Sequence, residues 1–147
     1  MEDLTIMYGN NDGEAWELVL VAEKEETLYK AKQCLERMEK EEEGIMIDPT
    51  DMRTLFYEKG PVVVECIEVS DGTQLKEAVA ELAAQLKENF TEELLSALIF
   101  IEGDVGFLEA TEAAEEVQEL LGDDANIVFG ISEPEGQVGI KVLLALA

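Results

Sequence analysis

Residues 98–117 read LIFIEGDVGFLEATEAAEEV, and residues 124–130 read DANIVFG. The first four residues, Leu98 to Ile101, are apolar and β-prone, short enough for a strand. Glu102-Gly103-Asp104 breaks the run with turn chemistry. Phe107 to Leu121 then places Ala110, Ala113, Ala114 and Val117 on one helical face. Small residues there permit a close approach to a sheet. Asp123-Asp124 punctuates the chain, and Asn126 to Ile131 is a second strand. Strand, helix, strand with short links is a parallel crossover, so the fold class is α/β.

Working upstream, the same alternation continues. Pro61 opens the strand VVVECIEV, whose residues are mostly apolar on both faces, which suggests an interior strand. Asp71-Gly72 turns the chain, and Thr73 is the expected cap of a helix whose core face is Leu75, Val79, Leu82 and Leu86. Phe90 to Ala97 reads as a broken helix or loop. Downstream, Glu133-Pro134-Glu135-Gly136 turns the chain into a last strand from Val138 to Leu146, expected to form a hairpin with the strand before it.

The remaining elements lie in the first third. Residues 4–8 and 16–22 are β-type runs around Asn10-Asn11-Asp12-Gly13, which predicts a hairpin. That turn is not a calcium loop, because Tyr8 and Val19 occupy the first and twelfth ligand positions. Glu25 to Glu43 is a helix with Leu28, Ala31, Cys34, Leu35 and Met38 along one stripe, stopped by Gly44. After the extended Ile45-Met46-Ile47, Asp48 suits an N-cap and Pro49 the first helical position, and this helix ends at Gly60.

Composition bounds the function. The 147 residues hold one domain with 47% hydrophobic content, and 35 acids against 10 Lys and Arg give a net charge of −25. Nucleic acid and anionic membranes reward Lys and Arg, so neither is an expected partner. The acid excess lies mostly at helical positions and reads first as a solvated, self-repelling surface, with salt adaptation and repulsion against self-assembly as the weaker readings. Arg37 and Arg53 are the only arginines, too few to clamp a phosphate or a dicarboxylate. The chain has no histidine, which removes imidazole bases, imidazole zinc ligands and imidazole triads. Cys34 and Cys66 sit in apolar contexts and read as buried free thiols. No metal site and no cofactor is expected. No signal segment and no membrane-length apolar run stands out, so the expected location is the cytoplasm.

From Gly44 to Leu146 the chain resembles the C-terminal domain of the cell-division protein FtsZ, of the tubulin/FtsZ family. The likeness rests on the stretch from Leu98 to Gly130, on Gly44-Ile45-Met46-Ile47-Asp48-Pro49-Thr50-Asp51-Met52-Arg53-Thr54, and on Tyr57-Glu58-Lys59-Gly60. It implies a mixed four-stranded sheet from residues 62–69, 97–102, 126–131 and 138–146, with helices 73–88 and 107–121 on one face. Residues 1–43 then supply an N-terminal hairpin and helix, the helix standing where the family has its long central helix.

In the family, the loop before the helix carries Asn-x-Asp-x-x-Asp and enters the neighbouring subunit's GTP pocket. Asp48 and Asp51 fall on the two acidic positions, while Met46 replaces the Asn and Pro49 also departs from the pattern. The resemblance makes Asp48, Asp51, Met46 and Arg53 candidates for contact with a partner. Helix capping alone also accounts for Asp48 and Asp51. Asp48 beside Pro49 suits the capping role; a cap does not require a second acid, which leaves Asp51 as the partner-facing residue.

The family's nucleotide domain needs a Gly-rich phosphate loop, and this chain has no two adjacent glycines and no Lys-Ser or Lys-Thr pair. The expectation is therefore a chain lacking the GTP-binding domain, which binds no GTP alone and has no catalytic residues. Its expected role is a non-enzymatic interaction or regulatory module that binds an FtsZ-like or tubulin-like protein or assembles with itself. The alternatives are a small enzyme or ligand sensor on a chorismate-mutase-like sheet, and a trans-acting activator that lends Asp48 and Asp51 to a partner's GTPase.

Overall fold

A computed structural model describes residues 1–8, 15–40, 47–90 and 93–147. The elements are β1 (Glu2–Tyr8), β2 (Trp16–Ala22), α1 (Glu25–Lys40), α2 (Pro49–Phe56), β3 (Val62–Val69), α3 (Leu75–Glu88), β4 (Ser96–Glu102), α4 (Phe107–Leu121), β5 (Asn126–Ser132) and β6 (Ile140–Leu146). A 3₁₀ turn, Gly72–Gln74, leads into α3. The hairpin turn expected at residues 10–13, the helix end at 41–44 and Met46 lie outside the described residues.

The elements form one mixed sheet with a helical layer on each face. Its strand order is β1-β2-β3-β6-β4-β5. The expected parallel crossover is present: β4 and β5 pair in parallel from Ser96↔Asn126 to Glu102↔Ser132, with α4 between them in the chain. α3 and α4 pack against each other and share one apolar layer with Ile99, Ile101 and Leu144. α1 and α2 cover the opposite face, where Leu28, Met38, Met52 and Leu55 meet Val64, Leu98 and Phe100. Strand side chains alternate between these two layers, as the period of two demands.

Two expectations about the sheet are corrected. The sheet has six strands instead of four, because the β1–β2 hairpin joins it through a short parallel contact, Leu20↔Val62 and Val21↔Val63. β2 alternates buried Trp16, Leu18, Leu20 and Ala22 with half-buried Val19 and Val21, and such a strand needs a neighbour on each side and a cover on its apolar face.

The last two strands also do not form a hairpin with each other. β6 runs antiparallel to both β3 and β4 and lies between them, so β4 separates it from β5. The physical reason lies in β4. All seven of its residues are buried, so it needs pairing on both edges, and β6 supplies the second edge.

Local chemistry explains the element ends. Asp71, not Thr73, caps the turn into α3: its carboxylate accepts the Thr73 N–H at 2.9 Å and also meets the Thr73 hydroxyl. β4 begins at Ser96, and β6 begins at Ile140 with Val138 left exposed. At α4 the Gly106 N–H donates to Glu109 Oε1 at 3.2 Å, and Gln118 donates to the Gly122 carbonyl at 2.6 Å. Gly103, in the turn after β4, has φ +151°, and a Cβ there would stand 2.8 Å from the Gly139 carbonyl oxygen. That position requires glycine. Among the described residues no helix is long and apolar enough to cross a membrane.

Candidate interaction surface

α2 is built from the sequence upward as a short, well-anchored helix. Met52, Leu55 and Phe56 are buried in the α1/α2 layer, while Asp48, Thr50, Arg53 and Thr54 are exposed. Asp48 and Asp51 form a reciprocal cap. The Asp51 N–H donates to Asp48 Oδ1 at 2.9 Å, and the Asp48 N–H donates to Asp51 Oδ2 at 3.2 Å. This is the capping-box arrangement with aspartate in the position usually held by Glu or Gln.

The expectation that Asp51 is unneeded for capping is therefore corrected. Asp51 is half-buried and bonded inside its own chain, and Asp48 is the exposed member of the pair. Each carboxylate uses one oxygen in the reciprocal bonds of the cap, Oδ1 of Asp48 and Oδ2 of Asp51. The second oxygens are the atoms with which these residues can meet another group.

An aromatic ladder fixes the same end of the molecule. The Arg53 guanidinium lies 3.9 Å from the Tyr57 ring centroid, a cation–π distance. Tyr57 meets Trp16 edge-on at 5.7 Å, and Trp16 meets Tyr8 at 5.7 Å. The β1–β2 hairpin thus braces α2 through Trp16. Burial, then the nearby carboxylates of Glu39 and Asp48, pushes the Tyr8 hydroxyl far above its ordinary value. Of the four candidates, the structure brings together Asp48, Asp51 and Arg53 on α2 and its cap, and Met46 lies outside the described residues.

A second polar cluster was not anticipated. Glu102, at the end of β4, is buried, and Arg37 on α1 grips it with two bonds, Nε to Oε2 at 2.9 Å and Nη2 to Oε1 at 2.7 Å. The Cys34 thiol approaches Oε1 at 3.6 Å. Burial, then the Glu102 carboxylate, pushes the Cys34 thiol far up, and burial raises Cys66 to about 11. Both cysteines are free, Cys34 buried and Cys66 half-buried. The available signal was a glutamate ending an otherwise apolar strand in a chain with two arginines. The two arginines have different partners, Glu102 for Arg37 and Tyr57 for Arg53, and do not form one anion clamp. Among the described residues no group of three or more potential metal ligands gathers.

No family model and no curated protein matches the chain. Solved structures do. A single-site variant of FtsZ from M. jannaschii superposes with a TM-score of 0.67 at 24% identity, covering 83% of this chain and 38% of that one. The fold is FtsZ-like. An empty FtsZ dimer from the same organism gives 0.66 at 24% identity, over 82% of this chain and 36% of that one. CetZ1 from Haloferax volcanii, a GDP-bound monomer, gives 0.51 at 11% identity, over 68% of this chain and 33% of that one.

The chain therefore spans well under half the length of the FtsZ and CetZ chains that it matches. The FtsZ-like fold agrees with the α/β class and with the mixed sheet read from the sequence. The β1–β2 hairpin belongs to the same sheet as β3 to β6, and α1 packs in the apolar layer on one face of that sheet.

Proposed function

We propose that this chain is a non-enzymatic, cytoplasmic interaction module that binds an FtsZ-like protein and modulates its assembly through the exposed side of α2. The observation that carries this reading is the construction of α2. Its buried side is fixed in the core and its cap is locked by reciprocal bonds, while Asp48 and Arg53 remain exposed. A rigid, charged ridge of this kind suits recognition, because little conformational freedom is lost on binding. The resemblance in sequence puts the family's intersubunit segment at these same residues. One of the matched FtsZ structures is described as a dimer, which supports a partner of that fold.

The test is co-sedimentation with a purified FtsZ-type GTPase polymerised by GTP. The chain is expected in the pellet or to shift the amount of polymer. Arg53→Glu is expected to remove the effect while lowering the thermal midpoint by no more than about 4 °C, since an exposed cation–π contact such as that with Tyr57 is worth about 0.5–1 kcal/mol. An unchanged effect in Arg53→Glu, or no effect of the native chain at any ratio, refutes the reading.

A further inference from the structure

The free edge of β5 is a second surface, separate from α2. Among the described residues β5 ends the sheet, with β4 as its one strand partner. The Asn126 N–H donates to the Leu95 carbonyl at 2.8 Å, toward β4. Along a strand these groups alternate sides, so the N–H and C=O groups of Ile127 and Phe129 point off the sheet. Residues 126–129 are exposed or half-buried, whereas residues 130–132 are buried. Natural edges carry charge, proline or a bulge to prevent pairing. The other edge, β1, carries Glu2 and Asp3, but Asn126 to Ser132 contains no charged residue and no proline.

Apolar surface adjoins this edge. Phe107 and Leu108, in the first turn of α4, are 64% and 68% exposed, and Phe107 lies 5.7 Å from the Phe129 ring. The surrounding charge has one sign. From Glu88 to Ile140 the sequence holds 14 Asp and Glu and no Lys or Arg. Lys76 and Lys87 reach α4 from α3, but among the described residues no ion pair reaches β5 or its flanking turns. A cleft of about 360 Å³ near the end of β5 is lined by Asp71, Asp104, Glu133 and Glu135, among others.

We infer that the β5 edge takes an extended cationic peptide segment, added as a further strand along Ile127–Phe129. Its backbone pairs with the outward groups of Ile127 and Phe129, its apolar side chains cover Phe107 and Phe129, and its Lys or Arg side chains meet the flanking acids. This is strand addition with electrostatic steering. A second copy of this chain is the poorer occupant, because each copy carries −25. The inference stands independently of the α2 reading, since Arg53→Glu is expected to leave it intact.

The experiment uses the full chain and a capped seven-residue peptide of alternating lysine and valine, labelled for fluorescence anisotropy. A control peptide has the same residues with every backbone nitrogen methylated, which removes the donors of both edges but keeps the charge. The lysine–valine peptide is expected to bind, to weaken as salt rises, and to slow hydrogen exchange at the Ile127 and Phe129 amides. Methylation, or the double change Phe107→Ala and Leu108→Ala, is expected to weaken it about tenfold. Both side chains are largely exposed, so the variant keeps its core. Equal affinity for the methylated peptide, protection confined to β1, or no binding overturns the inference. So does a free chain that sediments as a dimer with the Ile127 and Phe129 amides already protected.

Discussion

Replacing Arg37 by alanine leaves the Glu102 carboxylate without its two charge-assisted bonds. The Glu102 side chain is 5% exposed and the Arg37 side chain 47%. Removing one partner of a fully buried pair costs about 3–5 kcal/mol, and of an exposed pair about 0–1 kcal/mol. The half-open guanidinium places this pair between those limits, at about 2–3 kcal/mol. For a chain of this size the expected fall in Tm is about 4–12 °C. The assay is urea and thermal unfolding followed by circular dichroism. A companion variant combines Arg37→Met with Glu102→Gln, which removes both charges and keeps most of the volume. It is expected to be less destabilised than the sum of its single changes by about 1–2 kcal/mol, within the usual range of coupling between contacting residues. A cost for Arg37→Ala below about 0.5 kcal/mol, the range of ordinary surface changes, together with strict additivity in the double variant, refutes this account of the pair.

Four further outcomes are expected. Asp48→Ala lowers stability by about 1 kcal/mol and Asp51→Ala by about half of that, by the usual size of a cap; if these residues also face a partner, co-sedimentation falls further than stability does. Gly103→Ala lowers stability by about 2–3 kcal/mol in urea unfolding, because a side chain is strained at φ +151° and meets the Gly139 carbonyl. The Cys66 thiol titrates at about 11 instead of 9.0, so the unfolded chain loses this proton first; stability then falls as pH rises from 9.0 to about 11, and a thiol reagent at neutral pH labels half-buried Cys66 ahead of buried Cys34. Calorimetry with GTP and magnesium gives no micromolar binding to the chain alone, and a micromolar Kd refutes that expectation.

Local patterns made much of this protein legible in its sequence. The α4 bounds, the α1 stripe and the opening of α2 at Asp48 each depend on residues within a turn or two of one another. The parallel β4–α4–β5 unit follows from its short links, and the scarcity of cations sets the charge of every surface. The reciprocal bond of Asp51 was equally local, but the short aspartate side chain there is not the usual Glu or Gln of a capping box.

What lay beyond reach depends on distance along the chain. The insertion of β6 between β3 and β4 is decided by the need to pair both edges of the fully buried β4, and the hairpin's place in the sheet by the burial of β2. The Arg37–Glu102 pair joins residues 65 apart, and the tertiary fold alone brings them to 2.7 Å. Sequence periodicity determines which face of an element is apolar. Only the packed structure determines which other face it meets, because burial is non-directional and its partner is chosen by the whole sheet.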